Sequence, residues 1–268
     1  MASNVYAASY LGSTVSIFDR NISTGALTTN GSIATEIWPN GICVSNDGLN
    51  VYISNSGSNT ISIYNRDFFT GVLTANGTIA TNSPYAICIS NDDLNVYAVN
   101  FSTETVSVFD RNISTGALTE NDVVAILQFS PFSICISKDD KNIYIGNSGN
   151  SSISVYNRNI STGALTLNEN AVSSASPWEI CISNDGKNLY ATNRSLGTIS
   201  IYNRNISTGD LTYTGGIATG VDCWGICISN DDLNVYVSGD NDDLIYIYDR
   251  NISTGALTAN GTIATDSP

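Results

Sequence analysis

A chain of 268 residues with 42% hydrophobic and only 13% charged residues is long and apolar enough to bury a large core, which excludes a disordered polypeptide. Its net charge of −14 repels phosphate backbones and anionic bilayers, so nucleic acid and membrane insertion are not expected, and no apolar run approaches the roughly 20 residues of a spanning helix. The chain has no histidine, which removes the commonest general base, the commonest metal ligand and any Ser-His-Asp triad; catalysis would have to use carboxylates, Arg, Tyr or Cys.

In chain order, Met1-Ala2-Ser3 runs straight into a strand at Val5-Tyr6, so no signal-peptide pattern is visible and the compartment stays open. The heptad Ile-Ser-Thr-Gly-Ala-Leu-Thr then recurs with small variations along the chain. Its glycine falls at Gly25, Gly71, Gly116, Gly163, Gly209 and Gly255, spaced by 46, 45, 47, 46 and 46 residues. Each unit reads as four strands. The first is Ile-Cys-Ile-Ser, as at Ile87 to Ser90, and it ends in a turn such as Asn46-Asp47-Gly48 that suits a left-handed backbone. The second begins Asn-Val-Tyr, as at Asn50 to Tyr52; the third is Thr-Ile-Ser-Ile-Tyr, as at Thr60 to Tyr64. An Asn-Arg-Asn-Ile-Ser-Thr-Gly hairpin leads to a less regular fourth strand, near 72–80 in the second unit.

Four short strands per repeat make the blade of a β-propeller, whose two faces are buried only by stacking on neighbouring blades. The expected fold is therefore all-β: a propeller of six blades with four antiparallel strands per repeat of about 46 residues, in a single domain over 1–268. The repeats run approximately over 1–35, 36–81, 82–127, 128–174, 175–220 and 221–268. The first strand occurs only five times, at Ile42, Ile87, Ile134, Ile180 and Ile226, so the first blade is expected to lack its inner strand. Trimming from a longer array, imperfect closure, and self-association through the incomplete blade all fit that shortage.

Units such as Ser83-Pro84-Tyr85-Ala86-Ile87-Cys88-Ile89-Ser90, continuing through Asn95-Val96-Tyr97 to the hairpin at Gly116, resemble the YVTN-type repeats of the lactonase-like (6-phosphogluconolactonase-like) β-propeller superfamily. The resemblance covers all six repeats. It implies the blade type and places the first strand nearest the axis, and it raises a lactone hydrolase as one function. Histidine contributes to several enzyme sites of that superfamily, and no motif here carries such a residue over.

Because successive strands alternate direction, two faces differ in their constraints. On the lower face, Arg20, Arg66, Arg111, Arg158, Arg204 and Arg250 occupy one repeat position, and Asp47, Asp92, Asp139, Asp185 and Asp231 another. Equal copies are what architecture needs, so these are expected to brace each blade through Arg–carboxylate and backbone contacts. The upper face varies. Two residues before the first-strand isoleucine stand Asn40, Tyr85, Phe132, Trp178 and Trp224, followed by Gly41, Ala86, Ser133, Glu179 and Gly225. Trp38 falls in the same zone, so all three tryptophans lie there. Arg194 is the one arginine outside the lower-face set, and Glu179 the one acid at its position. Trp38, Tyr85, Phe132, Trp178, Glu179, Arg194 and Trp224 are the candidate ligand site, suited to stacking on sugars or anchoring a protein loop; the competing reading has the aromatics plugging a central channel.

Cys43, Cys88, Cys135, Cys181 and Cys227 share one strand position and read as small hydrophobes packed between blades, while Cys223 stands apart in an upper loop. The acidic run with Asp240, Asp242 and Asp243 resembles a calcium loop in composition, without the spaced ligands of an EF-hand. Sequons at Asn21, Asn112, Asn159, Asn205 and Asn251 come with the repeated hairpin and count as one copied feature. The main expectation is a non-catalytic binding scaffold for a glycan or protein on the upper face. The alternatives are a structural or self-assembling module and a lactonase-like hydrolase, for which Glu179 would serve as acid or base and Arg194 as anion clamp.

Overall fold

The computed structural model describes residues 3–126, 128–172, 176–220, 222–239 and 242–264. It is a six-blade all-β propeller chain with three antiparallel strands in the first blade and four in each of the others. Among the described residues the helical content is two single 3-10 turns, Ser148–Asn150 and Arg194–Leu196. Two compact units divide the chain, Met1–Ala125 with blades one to three and Ile126–Pro268 with blades four to six.

The first blade consists of Asn4–Ser9, Thr14–Arg20 and Leu27–Ala34, so it begins at what is the second strand elsewhere. The fifth blade shows the full pattern: Pro177–Ile182, Asn188–Asn193, Thr198–Arg204 and Leu211–Ala218, paired in that order. Every third strand meets its fourth with one register shift, as between Ile201 and Tyr202, which leaves one residue of the outer strand unpaired. That bulge is why the fourth strand reads as irregular in sequence. The turn after the first strand has the left-handed backbone expected, at Gly48 (φ 71°), Asp93 (φ 62°), Asp140 (φ 60°), Gly186 (φ 69°) and Asp232 (φ 62°).

Within each unit, alternation along the strands gives every blade two apolar faces. In the first unit, Tyr52, Ile61 and Ile63 of blade two pack on Ile87, Val96, Ala98 and Phe109 of blade three. In the second, Tyr190, Ile199 and Ile201 of blade five pack on Ile226, Val235, Val237 and Tyr248 of blade six. At about 25 cal/mol per Å² of apolar surface removed from water, these junctions are the main source of stability.

Each junction is also latched at its lower end. The arginines brace their own blade, as where Arg111 Nη1 donates to the Asp93 carbonyl (3.3 Å), and they reach the preceding blade as well. Arg111 of blade three donates from Nε to Tyr52 Oη (2.8 Å) and from Nη2 to Asp47 Oδ2 (2.7 Å) and Asn50 Oδ1 (2.6 Å), all on blade two. Tyr52 Oη in turn donates to the carbonyl of Gly116 in the blade-three hairpin (2.8 Å). Arg204 makes the same bonds to Tyr144, Asp139 and Asn142, and Arg250 to Tyr190, Asp185 and Asn188. The reason is reach: the hairpin arginine leaves its blade over the start of the preceding blade's second strand, where Asn and Tyr alternate onto the facing side.

The latch also explains the marker glycine. Gly116 has φ 73°, and a Cβ there would sit 2.2 Å from Asn50 Nδ2; Gly255, with φ 75°, would meet Asn188 equally closely. The asparagine of each sequon has a structural role of its own. Asn112 Oδ1, for example, accepts the backbone N–H groups of Ser114 (3.0 Å) and Thr115 (3.1 Å) and fixes the hairpin turn.

The cysteines depart from the expectation of full burial. Cys43, Cys88, Cys135 and Cys181 are half-buried at the inner margin of the sheets, and Cys227 is exposed. Cys223 is not in a loop: it opens the strand Cys223–Ile228 where other blades have proline, is buried, and donates its thiol to the Thr198 carbonyl (3.6 Å). All six are free thiols.

Candidate functional site

Tyr85, Phe132, Trp178 and Trp224 sit within strands, because each first strand begins earlier than its isoleucine, whereas Trp38 immediately precedes one. The starts are Pro39, Pro84, Pro131, Pro177 and Cys223. Four of these lack a backbone N–H, which suits the head of a strand. Just after the head the register shifts: in blade five Pro177 pairs with Asn193 and the next pair is Ile180 with Ala191, so Trp178 and Glu179 are bulged out of the ladder. Blade six repeats this, with Trp224 and Gly225 between Cys223 and Ile226. A bulge re-aims side chains, and here it turns two adjacent ones toward different surroundings.

One hydroxyl ties the two bulges together. Thr192 Oγ1 accepts the Glu179 N–H (3.1 Å) and donates to the Trp224 carbonyl (2.9 Å). Ser54 does the same between Gly41 and Tyr85 in the first unit. This residue was missed in the sequence, although a small side chain recurs at that strand position in Ser54, Thr192 and Ser238.

In the second unit, four of the expected residues converge. The rings of Phe132 and Trp178 stack at 4.2 Å with an interplanar angle of 24°. Trp178 meets Trp224 edge to face at 5.2 Å and 77°. Arg194 begins the 3-10 turn after the second strand of blade five, closed by Gly197 at φ 55°. That turn holds its guanidinium 4.0 Å from the Trp224 ring centroid and 4.9 Å from that of Trp178. Both distances are well inside cation–π range. The Trp224 indole N–H is enclosed and finds no acceptor among the described residues. An unpaired buried donor of this kind costs about 1–3 kcal/mol.

Glu179 does not join that platform. Its half-buried side chain lines a cleft of about 390 Å³ with Gly225, Ile226, Cys227, Tyr236 and Ser238. Burial pushes its carboxyl up to about 8, with the Ile180 N–H opposing in part. Cleft and platform share a border, since Glu179 follows Trp178 and Gly225 follows Trp224. Gly225 leaves room for this: a Cβ there would meet only Ser238 Oγ, at 3.3 Å, whereas one at the equivalent Gly41 would meet the Ile87 backbone at 3.0 Å.

The other two expected residues, Trp38 and Tyr85, lie in the first unit. Trp38 stacks on Tyr10 at 5.8 Å and 11°, is 47% exposed, and holds a left-handed backbone at φ 56°. Its ring lies against Gly57, where a Cβ would approach within 2.9 Å. Tyr85 tilts against Phe101 at 6.3 Å. In the second unit the expected residues thus form a platform of Phe132, Trp178, Trp224 and Arg194 with a bordering cleft at Glu179, and in the first Trp38 and Tyr85 each meet an aromatic neighbour.

Of the acidic run, Asp240 lies outside the described residues. Asp242 accepts hydrogen bonds from the Tyr246 hydroxyl and the Leu244 N–H, and Asp243 carries a left-handed φ of 52°. Among the described residues no group of three or more Cys, Asp or Glu side chains is arranged to hold a metal ion.

Against this geometry the comparisons with known proteins can be placed. The sequence matches the family described as Lactonase, 7-bladed beta-propeller, over residues 2–128, 128–224 and 173–268. The chain belongs to this lactonase family of β-propellers. No curated protein matches it in sequence. Among solved structures, a putative 6-phosphogluconolactonase from Bacteroides fragilis is similar at 21% identity and a TM-score of 0.83, with 95% of this chain and 78% of that one covered. A second from Bacteroides uniformis has 21% identity and a TM-score of 0.85, covering 95% and 79%. The periplasmic gluconolactonase PpgL of Pseudomonas aeruginosa has 14% identity and a TM-score of 0.83, covering 95% and 78%. At such identities the likeness carries the fold alone. No helix among the described residues is long and apolar enough to cross a membrane.

Proposed function

We propose that this chain takes a sugar lactone, or the hydroxy acid it opens to, on the Phe132–Trp178–Trp224–Arg194 platform and hydrolyses the lactone with the Glu179 carboxylate as base. Family membership favours this ligand class, because similar folds are described as phosphogluconolactonase and gluconolactonase. The observation that carries the reading is the guanidinium held over two tryptophan rings, with a carboxyl shifted to about 8 in the cleft that borders them. Aromatic faces suit the C–H surface of a sugar, and a guanidinium suits a carboxylate or phosphate.

The chemistry is short. Ionised Glu179 takes a proton from water as the water oxygen bonds to the lactone carbonyl carbon. The ring C–O bond then breaks, and the ring oxygen receives the proton from Glu179, leaving the hydroxy acid. A base with a pKa near working pH is efficient in both directions of transfer.

A second reading keeps the platform and drops the hydrolysis: a non-catalytic scaffold that recognises a glycan or a protein loop. It is favoured by one observation, that Glu179 opens into the cleft on blade six while Arg194 lies over the rings. Acid release from glucono-lactone, followed by pH-stat above the spontaneous rate, separates the two. Catalysed release that rises with an apparent pKa near 8 and vanishes in Glu179→Gln supports the hydrolase. Saturable binding of the sugar acid with no catalysed release supports the scaffold. Neither binding nor release, in folded protein, overturns both.

A further inference from the structure

Besides its arginine latch, the junction of blades five and six carries a carboxylate clasp between lower-face turns. The Asp232 carboxylate accepts the backbone N–H groups of Asn184 (2.7 Å) and Asp185 (2.7 Å) in the blade-five turn, and Asn184 Nδ2 adds a third bond (3.1 Å). Arg250 Nη1 stands 3.9 Å from the same carboxylate. Blades two and three are clasped alike, where Asp93 accepts the N–H groups of Asn46 (2.7 Å) and Asp47 (2.8 Å). Asp93 and Asp232 both hold a left-handed backbone at φ 62°, and from there each carboxylate reaches the preceding blade's turn.

The junction of blades four and five lacks that carboxylate, because Gly186 stands where the others have Asp93 and Asp232. The receiving side is kept. The blade-four turn closes in the same way, with the Asp140 N–H on the Ser137 carbonyl (2.9 Å), and Arg204 Nη2 bonds Asp139 as Arg250 Nη2 bonds Asp185. Among the described residues, however, the N–H groups of Lys138 and Asp139, counterparts of the two that bind Asp232, have no acceptor. A Cβ built on Gly186 would meet only Arg204 Nη1, at 3.4 Å, so the place of the missing side chain has room and faces a guanidinium whose side chain is 1% exposed. All the lysines of the chain, Lys138, Lys141 and Lys187, lie on these two turns. At the next junction Asn184 and Leu233 stand where this one has Lys138 and Lys187.

We infer that the lower-face junction of blades four and five binds a small free carboxylate, of the size of formate or acetate, in the place that the Asp232 side chain fills one junction on. The anion accepts the Lys138 and Asp139 N–H groups and faces Arg204 Nη1, while Lys138 and Lys187 add positive charge at the rim. Successive backbone N–H groups of a turn form an anion-binding concavity, and a cation beside it strengthens each bond. Acetate is the aspartate side chain cut at Cα, so the clasps at Asp93 and Asp232 are the template for the ligand. The site lies on lower-face turns and does not depend on the function proposed for the platform.

Thermal unfolding followed by circular dichroism, in formate or acetate against chloride at fixed ionic strength, tests the inference. The native midpoint should rise saturably, by about 2–4 °C at tenfold the half-saturating concentration. Gly186→Asp supplies the carboxylate from the chain itself. Gly186 has φ 69°, and aspartate already holds nearly that backbone at Asp93, Asp140 and Asp232, so the variant keeps the turn. Its midpoint should start higher and lose the saturable rise. Asp232→Gly makes a second receiver of the same kind, so its midpoint should fall and its response to either acid should grow. A general salt effect is common to all three proteins, and the difference between them is the reading. A native midpoint that follows the acids no more than Gly186→Asp does, or an Asp232→Gly loss that neither acid recovers, would overturn the inference.

Discussion

Arg250 and Arg194 are placed by the same half of the chain to opposite ends. Arg250 is 4% exposed, and its guanidinium is spent on Tyr190, Asn188 and Asp185 across a blade junction. Arg194 stands at the start of an exposed turn with its guanidinium over the faces of Trp178 and Trp224. A cation surrounded by protein acceptors holds a fold together. One lying against π faces can add its charge to a ligand that arrives on the same rings. The contrast separates architecture from recognition more sharply than residue type does.

The largest effect should come from breaking the architectural side. Arg250→Ala removes the cation that pairs with Asp185 and the donor to Asn188 Oδ1 in a half-buried junction, and chemical denaturation should show a loss of about 3–5 kcal/mol. Arg194→Ala should change stability by less than about 1 kcal/mol. It should nevertheless weaken binding of a sugar acid by at least about tenfold in the same preparation. Equal destabilisation by the two variants would erase the distinction.

Next in size is a difference in pH response. Burial alone would raise the Asp185 carboxyl, but hydrogen bonds from Ser183, Lys187 and Arg250 outweigh it and hold it below 3.8. A depressed carboxyl contributes stability that is present above its unfolded pKa and lost as pH falls through the folded one. Asp47 and Asp139 act in the same direction. Glu179 has the opposite sign. Its folded pKa of about 8 lies above the ordinary 4.5, so the folded state holds the extra proton and stability declines as pH rises between those values. Denaturation midpoints measured across that window should slope downward in the native chain and flatten in Glu179→Gln. An unchanged slope would mean that Glu179 is better solvated than its cleft implies.

The smallest effect sharpens the comparison within the aromatics. Gly57→Ala should push the Trp38 ring off its seat, since the added methyl meets it at 2.9 Å, and shift tryptophan emission modestly. Binding on the platform of blades four to six should be untouched. A loss of ligand affinity in this variant would contradict the assignment of binding to the platform.

The repeat made the architecture legible. Equal spacing of the glycines and the strand–turn chemistry of each unit were enough for the blade, the strand count and the short first blade. Latch partners were only half legible: the positions of the arginines and aspartates stood out, but a linear pattern does not say that Arg111 reaches back to Asp47 of the preceding blade. The candidate site was legible as a zone. That Trp178 and Trp224 share a cation while Glu179 turns into a cleft depends on a bulge, and a one-residue register shift leaves no mark in composition. Cys223 was misplaced for a related reason, because it occupies a strand head that proline marks in the other blades. Thr192 was overlooked because a hydroxyl that ties two backbones looks in sequence like any strand threonine.

The central claim is that the platform, not the aromatic rim as a whole, receives a sugar acid. Tryptophan fluorescence titrated with gluconate and 6-phosphogluconate, in native protein, in Trp38→Phe and in Arg194→Ala, tests it most directly. The account predicts a saturable change that survives Trp38→Phe and is weakened at least about tenfold in Arg194→Ala. No saturable change with either acid, or a response that follows Trp38 and ignores Arg194, would contradict it.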